Sequence, residues 1–270
     1  GVFIMNDSLT SKNIDDQDLL VFSEDRAIAT LTLNRPNQYN CLSEKLLSEL
    51  TKKLEEISKN EKIRVIILQA NGPAFCAGHD LKEMRANPSK AYYKKLFIKC
   101  SHFMTLITKI PQPVIAKVHG VAAAAGCQLV ASCDLAIGSE NASFATTGVN
   151  LALFCSTPSV AVSRNLPRKK AAEILFTGDM MQASEAADFG LINRFVPDDK
   201  LDEETLLLAK KIAAKPKIAI STGKKMLYPQ LEMKLEAAYE YAAEIMACNM
   251  MDKDTIEGID AFINKRQPNW

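Results

Sequence analysis

Two stretches rich in glycine and alanine carry the residues best suited to chemistry. The first, Pro73-Ala74-Phe75-Cys76-Ala77-Gly78-His79-Asp80-Leu81, follows an apolar run and precedes a helical one. Small residues there let backbone approach a ligand closely, and a helix N-terminus presents unpaired N–H groups to negative charge. A plain strand-to-helix turn capped by Asp80 explains the same residues. The second, Val118-His119-Gly120-Val121-Ala122-Ala123-Ala124-Ala125-Gly126-Cys127-Gln128, also runs from a strand pattern through small residues into a helix. Tight helix packing is the competing explanation, since alanine and glycine serve it well. Side chains that could move a proton or attack a carbonyl are few. His79 has a titratable ring, His119 is expected to pack beneath its loop, and Cys155 has no evident partner base, so an inert buried thiol accounts for it. A Cys76/His79/Asp80 metal site would have closely spaced donors and no fourth ligand.

The elements that must hold these loops follow from periodicity. Residues 27–33 alternate and are rich in β-formers, and Asn34-Arg35-Pro36-Asn37 stops the strand. Ser43 caps a helix whose Leu46, Leu47, Leu50, Leu54 and Ile57 share one face. Residues 65–68 form a continuous apolar run, as a strand covered on both sides requires. Strand, helix, strand in that order predicts a parallel pair with a helical crossover. The pattern repeats with a helix over 90–108, a strand over 114–118, a small-residue helix over 125–132 and a strand over 135–137. Beyond Pro158 the chain reads as helical, with Gly190 capping a helix over 183–189. From residue 201 only helices are evident: Leu201, Thr205, Leu208 and Ile212 share a face, and Pro216 marks a break. The expected organisation is a flexible arm over 1–20, a core over 21–200 and a helical region over 201–270.

Composition narrows the partners. The formal charge of +1 provides no overall field toward nucleic acid or an anionic membrane, so attraction for a phosphorylated ligand must be local. Seven cysteines, an odd number without a C-x-x-C pair, read as reduced thiols rather than a disulfide framework. The apolar runs are too short to span a bilayer. Asp7, Asp15, Asp16, Asp18, Glu24 and Asp25 make the first residues unlike a signal or transit peptide. Expected is a protein of the bacterial cytoplasm, with the mitochondrial matrix as the alternative.

Taken together and in order, the two loops resemble the crotonase (enoyl-CoA hydratase/isomerase) superfamily. That family shows A-x-A-G-x-D-[LI] after one strand, then N-G-x-x-x-G-G-G-x-E after another, then C-D. This chain has AFCAGHDL, HGVAAAAGCQ and Cys133-Asp134, with further matches in LNRPNQYNCL, FTGDMMQASEAADFGLIN and GIDAFINKRQPNW. The stretch AGCQLVASCD is similar to the subgroup of the mitochondrial enoyl-CoA hydratase domain-containing protein three and its bacterial relatives. The resemblance implies an α/β fold, a crotonase-type ββα spiral core with a C-terminal helical oligomerisation region that builds trimers or dimers of trimers. It implies an acyl-CoA thioester as ligand, and no cofactor beyond the coenzyme A of the substrate. It assigns the backbone N–H groups of His79 and Ala125 to the thioester oxygen. Preorganised amides there stabilise developing charge, and one such donor is worth about 3–4 kcal/mol. Coenzyme A contacts fall to Arg35, Asn37, Cys76, Gly78 and Lys82, with Phe262 and Lys265 supplied by a neighbouring subunit. Lys82 also reads as a solvated helix charge.

The chain departs from the hydratases where their two glutamates stand: Gln128 occupies the first position and Gly148 the second. An amide can hold a water but cannot exchange its proton near neutral pH, and glycine can do neither. Each acid–base group contributes roughly 10²–10⁴-fold, so ordinary hydration is expected to be very slow. The gap at Gly148 is expected to admit water or a small anion, and a large gain in hydration on restoring glutamate at both positions would show that only the proton-transfer groups are absent. The hydratases' later glycine-rich turn is replaced by residues 153–158. The expected function is thus a fatty acyl-CoA enzyme that stabilises a thioester enolate, a lyase or isomerase by family. The alternative is a catalytically silent acyl-CoA binder or assembly partner.

Overall fold

The computed structural model describes residues 18–269. An antiparallel hairpin opens it, β1 (Leu20–Asp25) pairing with β2 (Ile28–Leu33). The carbonyls of Asp18 and Leu19 accept hydrogen bonds from Asn34, so the chain from residue 18 already belongs to the sheet edge. The expected arm over 1–20 is therefore too long at its C-terminal end; residues 1–17 lie outside the described residues. Helix α1 (Glu44–Ser58) begins where Ser43 Oγ accepts the Leu46 N–H, and the four leucines and one isoleucine of its expected face are buried.

Strand–strand–helix turns follow. β3 (Val65–Ala70) leads into β4 (Ala74–Cys76), α2 (Leu81–Ala86) and α3 (Lys90–Lys109). β5 (Val114–Val118) leads into β6 (Val121–Ala123) and α4 (Ala125–Ser132), and β7 (Leu135–Ser139) into β8 (Ser143–Ala145) and α5 (Ser156–Asn165). The chain continues through α6 (Arg168–Thr177), β9 (Met181–Gln182), α7 (Ala183–Asp188) and β10 (Arg194–Val196). The longer strand of each turn joins the sheet β1-β2-β3-β5-β7-β10, and the short one joins β4-β6-β8-β9. Pairing of β2 with β3, β3 with β5 and β5 with β7 is parallel, as helical crossovers require. Both candidate loops lie where a short strand of the second sheet ends and a helix begins.

Helix α8 (Leu201–Ala213) closes one face of the large sheet. Ala209, with Leu208 and Ile212 beside it, packs on Ile28, Val65, Ile67 and Ile115. The region that stands apart from the core thus starts after α8, later than the boundary expected at 201. It comprises α9 (Lys217–Leu231), α10 (Leu235–Met250) and α11 (Lys253–Ile263). One polar pin fastens α9 to the core: Lys224 Nζ donates to the carbonyls of Ile107 and Gln112, each at 2.7 Å, and to Asp134 Oδ2 at 2.6 Å. Tyr228 donates to the other Asp134 oxygen. Burial pulls the Lys224 pKa down, opposed by Asp134. No described helix is long and apolar enough to cross a membrane.

Candidate functional site

The segment at residue 42 aims the first amide. Leu42 and His79 form a parallel bridge, in which the Leu42 N–H donates to the Gly78 carbonyl at 2.8 Å and the Asp80 N–H donates to the Leu42 carbonyl. In a parallel pair the intervening residue turns its own N–H and C=O to the opposite side. The His79 N–H accordingly faces away from Leu42 and has no hydrogen-bond acceptor among the described residues. Ala125 is the first residue of α4, whose leading N–H groups have no intrahelical partner, and its amide is likewise unbonded within the described chain.

Two glycines bring these amides together. Gly78 has φ +104°, and a Cβ there would lie 3.0 Å from the Ala124 methyl and 3.5 Å from the Ala125 nitrogen. A Cβ on Gly126 would fall 2.0 Å from the Cys76 carbonyl oxygen, so α4 can rest on the end of β4 only with glycine at 126. Ala124, between them, holds φ 49° and ψ −115°, a left-handed conformation that alanine rarely adopts, and is tied to β8 through its N–H to the Ala145 carbonyl at 2.9 Å.

Around this pair of amides the polar side chains are unusually free. Gln128 sits one helical turn beyond Ala125 on the same face. It is 4% exposed, and its Oε1 has no partner among the described residues. Both ring nitrogens of His79 are buried and unpartnered as well, and the ring meets Phe97 of α3 edge-on at 5.4 Å between centroids. Burial lowers the His79 pKa; the nearby Leu42 carbonyl opposes that without reaching hydrogen-bond geometry, and no charged neighbour contributes. Phe97 was not legible as a site residue, because on α3 it is simply one more apolar position of a long helix.

Gly148 corrects an expectation. The space beside it is filled: a Cβ there would lie 2.2 Å from the Leu153 carbonyl oxygen and 2.8 Å from Cys155 Sγ. The Gly148 N–H donates to that sulfur at 3.3 Å, and the Leu153 N–H donates back to the Gly148 carbonyl at 3.0 Å. The turn over 153–158 thus folds over the place where a side chain would start, so the missing side chain leaves no vacancy there, and a glutamate cannot be seated without moving backbone. Cys155 is held in this turn as a thiol raised by burial.

The residues assigned to coenzyme A fall into three groups. Arg35 is engaged within the chain: Nη1 donates to the Cys41 carbonyl at 2.5 Å and Nη2 to Asp80 at 2.9 Å. Asp80 also accepts the N–H groups of Lys82 and Glu83, which caps α2. Burial pushes the Asp80 carboxyl up, but Arg35 and those amides outweigh it and hold the pKa low. The Arg35 loop is secured further by Asn40, fully buried, whose side chain bridges the Arg35 N–H and the carbonyls of Asn71 and Ala74. Asn37 and Lys82 are exposed at the rim of this region, whereas Cys76 is buried, with burial driving its thiol up to about 12. Phe262 and Lys265, at the end of α11, are both exposed, Phe262 at 86%. His119 is half-buried, with Nε2 2.7 Å from the Gly72 carbonyl at the start of the first loop. Among the described residues no group of three His, Cys, Asp or Glu side chains is placed to hold a metal ion.

The enoyl-CoA hydratase/isomerase family model matches residues 23–270. The chain belongs to that family. The solved enoyl-CoA hydratase of Mycobacterium smegmatis has 50% identity and a TM-score of 0.93, covering 94% of this chain and 99% of the other. The human enoyl-CoA hydratase domain-containing protein 3 has 43% identity and a TM-score of 0.91, covering 94% and 100%. The rat protein of that name, mitochondrial, is 46% identical over 243 residues, 90% of this chain and 81% of its own. These likenesses establish the crotonase fold and the subgroup that the motifs implied.

Proposed function

We propose that the chain binds an acyl-CoA thioester and stabilises its enolate between the backbone N–H groups of His79 and Ala125. The observation that carries this reading is the approach of Gly78 to the Ala125 nitrogen, with both amides free of acceptors in the chain. Negative charge developing on the thioester oxygen would meet two fixed donors in a largely water-excluded setting, where such donors act most strongly. Hydration by paired carboxylates is not the reaction, because Gln128 cannot transfer a proton and the Gly148 position is closed by Leu153. The chemistry supported is proton abstraction next to the thioester, as in double-bond isomerisation, within fatty acyl-CoA metabolism.

Arg35 acts in this reading as the brace that sets the coenzyme A loop through Asp80, and Asn37 and Lys82 meet the nucleotide at the rim. Phe262 and Lys265, with the exposed Leu235, Tyr239, Met246 and Ile259 of the helical region, serve a subunit contact in a trimer or hexamer. The mitochondrial designation of the rat relative supports the matrix over a bacterial cytoplasm. The test is vibrational: a thioester labelled with ¹³C at the carbonyl is bound, and its C=O stretch is compared with that in water. A shift to lower frequency, with crotonyl-CoA hydration slow, is expected. An unshifted carbonyl, or fast hydration, would overturn the proposal.

A further inference from the structure

We infer that the imidazole of His79, and not only its backbone, is catalytic: it is the base that removes the α-proton of the bound acyl group. This rests on the proposed function, since the proton becomes removable only when the thioester oxygen is held by the two amides. The two ring nitrogens of His79 are buried without a partner, and so is Oε1 of Gln128, one helical turn beyond the second amide. Buried polar atoms in folded proteins are overwhelmingly hydrogen-bonded, so three orphaned atoms on the two residues that flank the free amides mark a surface shaped for a ligand. Reach follows from covalent structure. The ring hangs from the same Cα as the N–H that would grip the oxygen, which keeps it within roughly 5 Å of that amide. The α-carbon of a bound thioester is only two bonds from the oxygen, so the acidic proton comes within range of the ring.

The protonation state fits. Burial lowers the His79 pKa and favours the neutral ring, which keeps one nitrogen lone pair available. Titratable groups on the elements packed around it leave that state undisturbed. Asp80 is paired with Arg35, and the Cys41 and Cys76 thiols are raised by burial. On α3, the Tyr93 hydroxyl donates to the Met84 carbonyl, and the Tyr92 phenol is shifted upward by burial. In the step itself, the C–H bond breaks and its proton forms an N–H bond on the ring. The electron pair becomes the C=C of an enolate whose oxygen is held by the His79 and Ala125 amides. Return of the proton to the same carbon gives exchange, and return to the γ-carbon of a 3-enoyl group gives the 2-enoyl isomer. No water, oxidant or other reactant is consumed. Gln128 holds the acyl group through its amide and takes no proton.

The test is hydrogen–deuterium exchange at the acyl α-carbon in D₂O, followed by NMR, for the native protein, His79→Ala and His79→Asn. Both variants keep the backbone N–H, and the ring they remove makes no hydrogen bond that folding needs. Expected is exchange by the native protein that fades on acidification below the ordinary histidine range. Both variants should exchange roughly 10²–10⁴-fold more slowly, with free imidazole restoring part of the rate to His79→Ala. The lowered carbonyl frequency should persist in both. Exchange that is undiminished in both variants, or absent from the native protein while the carbonyl shift is present, overturns the role of the ring. Absence of the carbonyl shift in the native protein overturns the underlying function instead, and the two failures are thereby told apart.

Discussion

Replacing Gly148 by alanine tests whether the missing second glutamate is a simple vacancy. The added methyl would start 2.2 Å from the Leu153 carbonyl oxygen and 2.8 Å from Cys155 Sγ. Ordinary contact requires the carbonyl to retreat by about 1 Å, and that carbonyl belongs to backbone rather than to a swinging side chain. Overpacking of this kind costs about 1–3 kcal/mol. The reciprocal bonds between Gly148 and the turn, N–H to sulfur and Leu153 N–H to carbonyl, are weakened as well, at about 1 kcal/mol each. Alanine recovers about 0.4–1 kcal/mol by stiffening the unfolded chain. The balance is roughly 2–4.5 kcal/mol of destabilisation, a fall in Tm of roughly 5–15 °C for a chain of this size. Calorimetry at fixed protein concentration reads this directly. The companion measurement is crotonyl-CoA hydration by Gln128→Glu and by Gln128→Glu/Gly148→Glu. The double variant is expected to lose stability and gain little hydration over the single one. A Gly148→Ala protein with native Tm, or a double variant that is both fully stable and a fast hydratase, would refute the reasoning.

Ala124→Gly should raise Tm, because glycine accepts φ 49° without the strain of about 1 kcal/mol that alanine bears there; calorimetry with and without bound coenzyme A separates stability from site geometry. Lys224→Met should cost about 3–5 kcal/mol by leaving Asp134 buried without its cation, and limited proteolysis should then cut first between α8 and α10. Asp80→Asn should destabilise the fold at neutral pH. The Asp80 pKa is lower folded than unfolded, so its stabilisation is present above the unfolded carboxylate range and disappears as acid protonates it. Urea titrations should therefore show native and Asp80→Asn proteins converging in midpoint as pH falls through that range.

The parts of the fold legible in the sequence are those with long, one-sided patterns. The leucine spacing of α1 and the unbroken apolar run of β3 each admit one reading, and the structure keeps both. The second sheet escaped because β4, β6 and β8 have three residues each, too few to show alternation. β1 escaped because its acidic outer residues are largely exposed and carry no buried face. The stripe Leu201, Thr205, Leu208, Ile212 announces a covered helix face, yet says nothing of whether a sheet or another subunit covers it. At the site, the Asp80 cap was readable from local sequence, whereas its pairing with Arg35 spans 45 positions and exists only in three dimensions. The crowding at Gly148 is of the same kind. A one-letter code reports that a side chain is lacking, while the oxygen that fills its place arrives from a turn five residues later.

The seating of α4 on the carbonyl of Cys76 sets different mutational freedoms for three adjacent small residues. At 124 and 125 a methyl group is already accommodated, that of 124 because the residue facing it at 78 is a glycine. At 126 any carbon beyond Cα would meet an oxygen at 2.0 Å and lever the whole helix off its support. The donor at 125 would swing with it, away from its counterpart at 79. Sequence drift along this loop can therefore reshape the walls of the acyl chamber while one hydrogen-only position keeps the two donors in register.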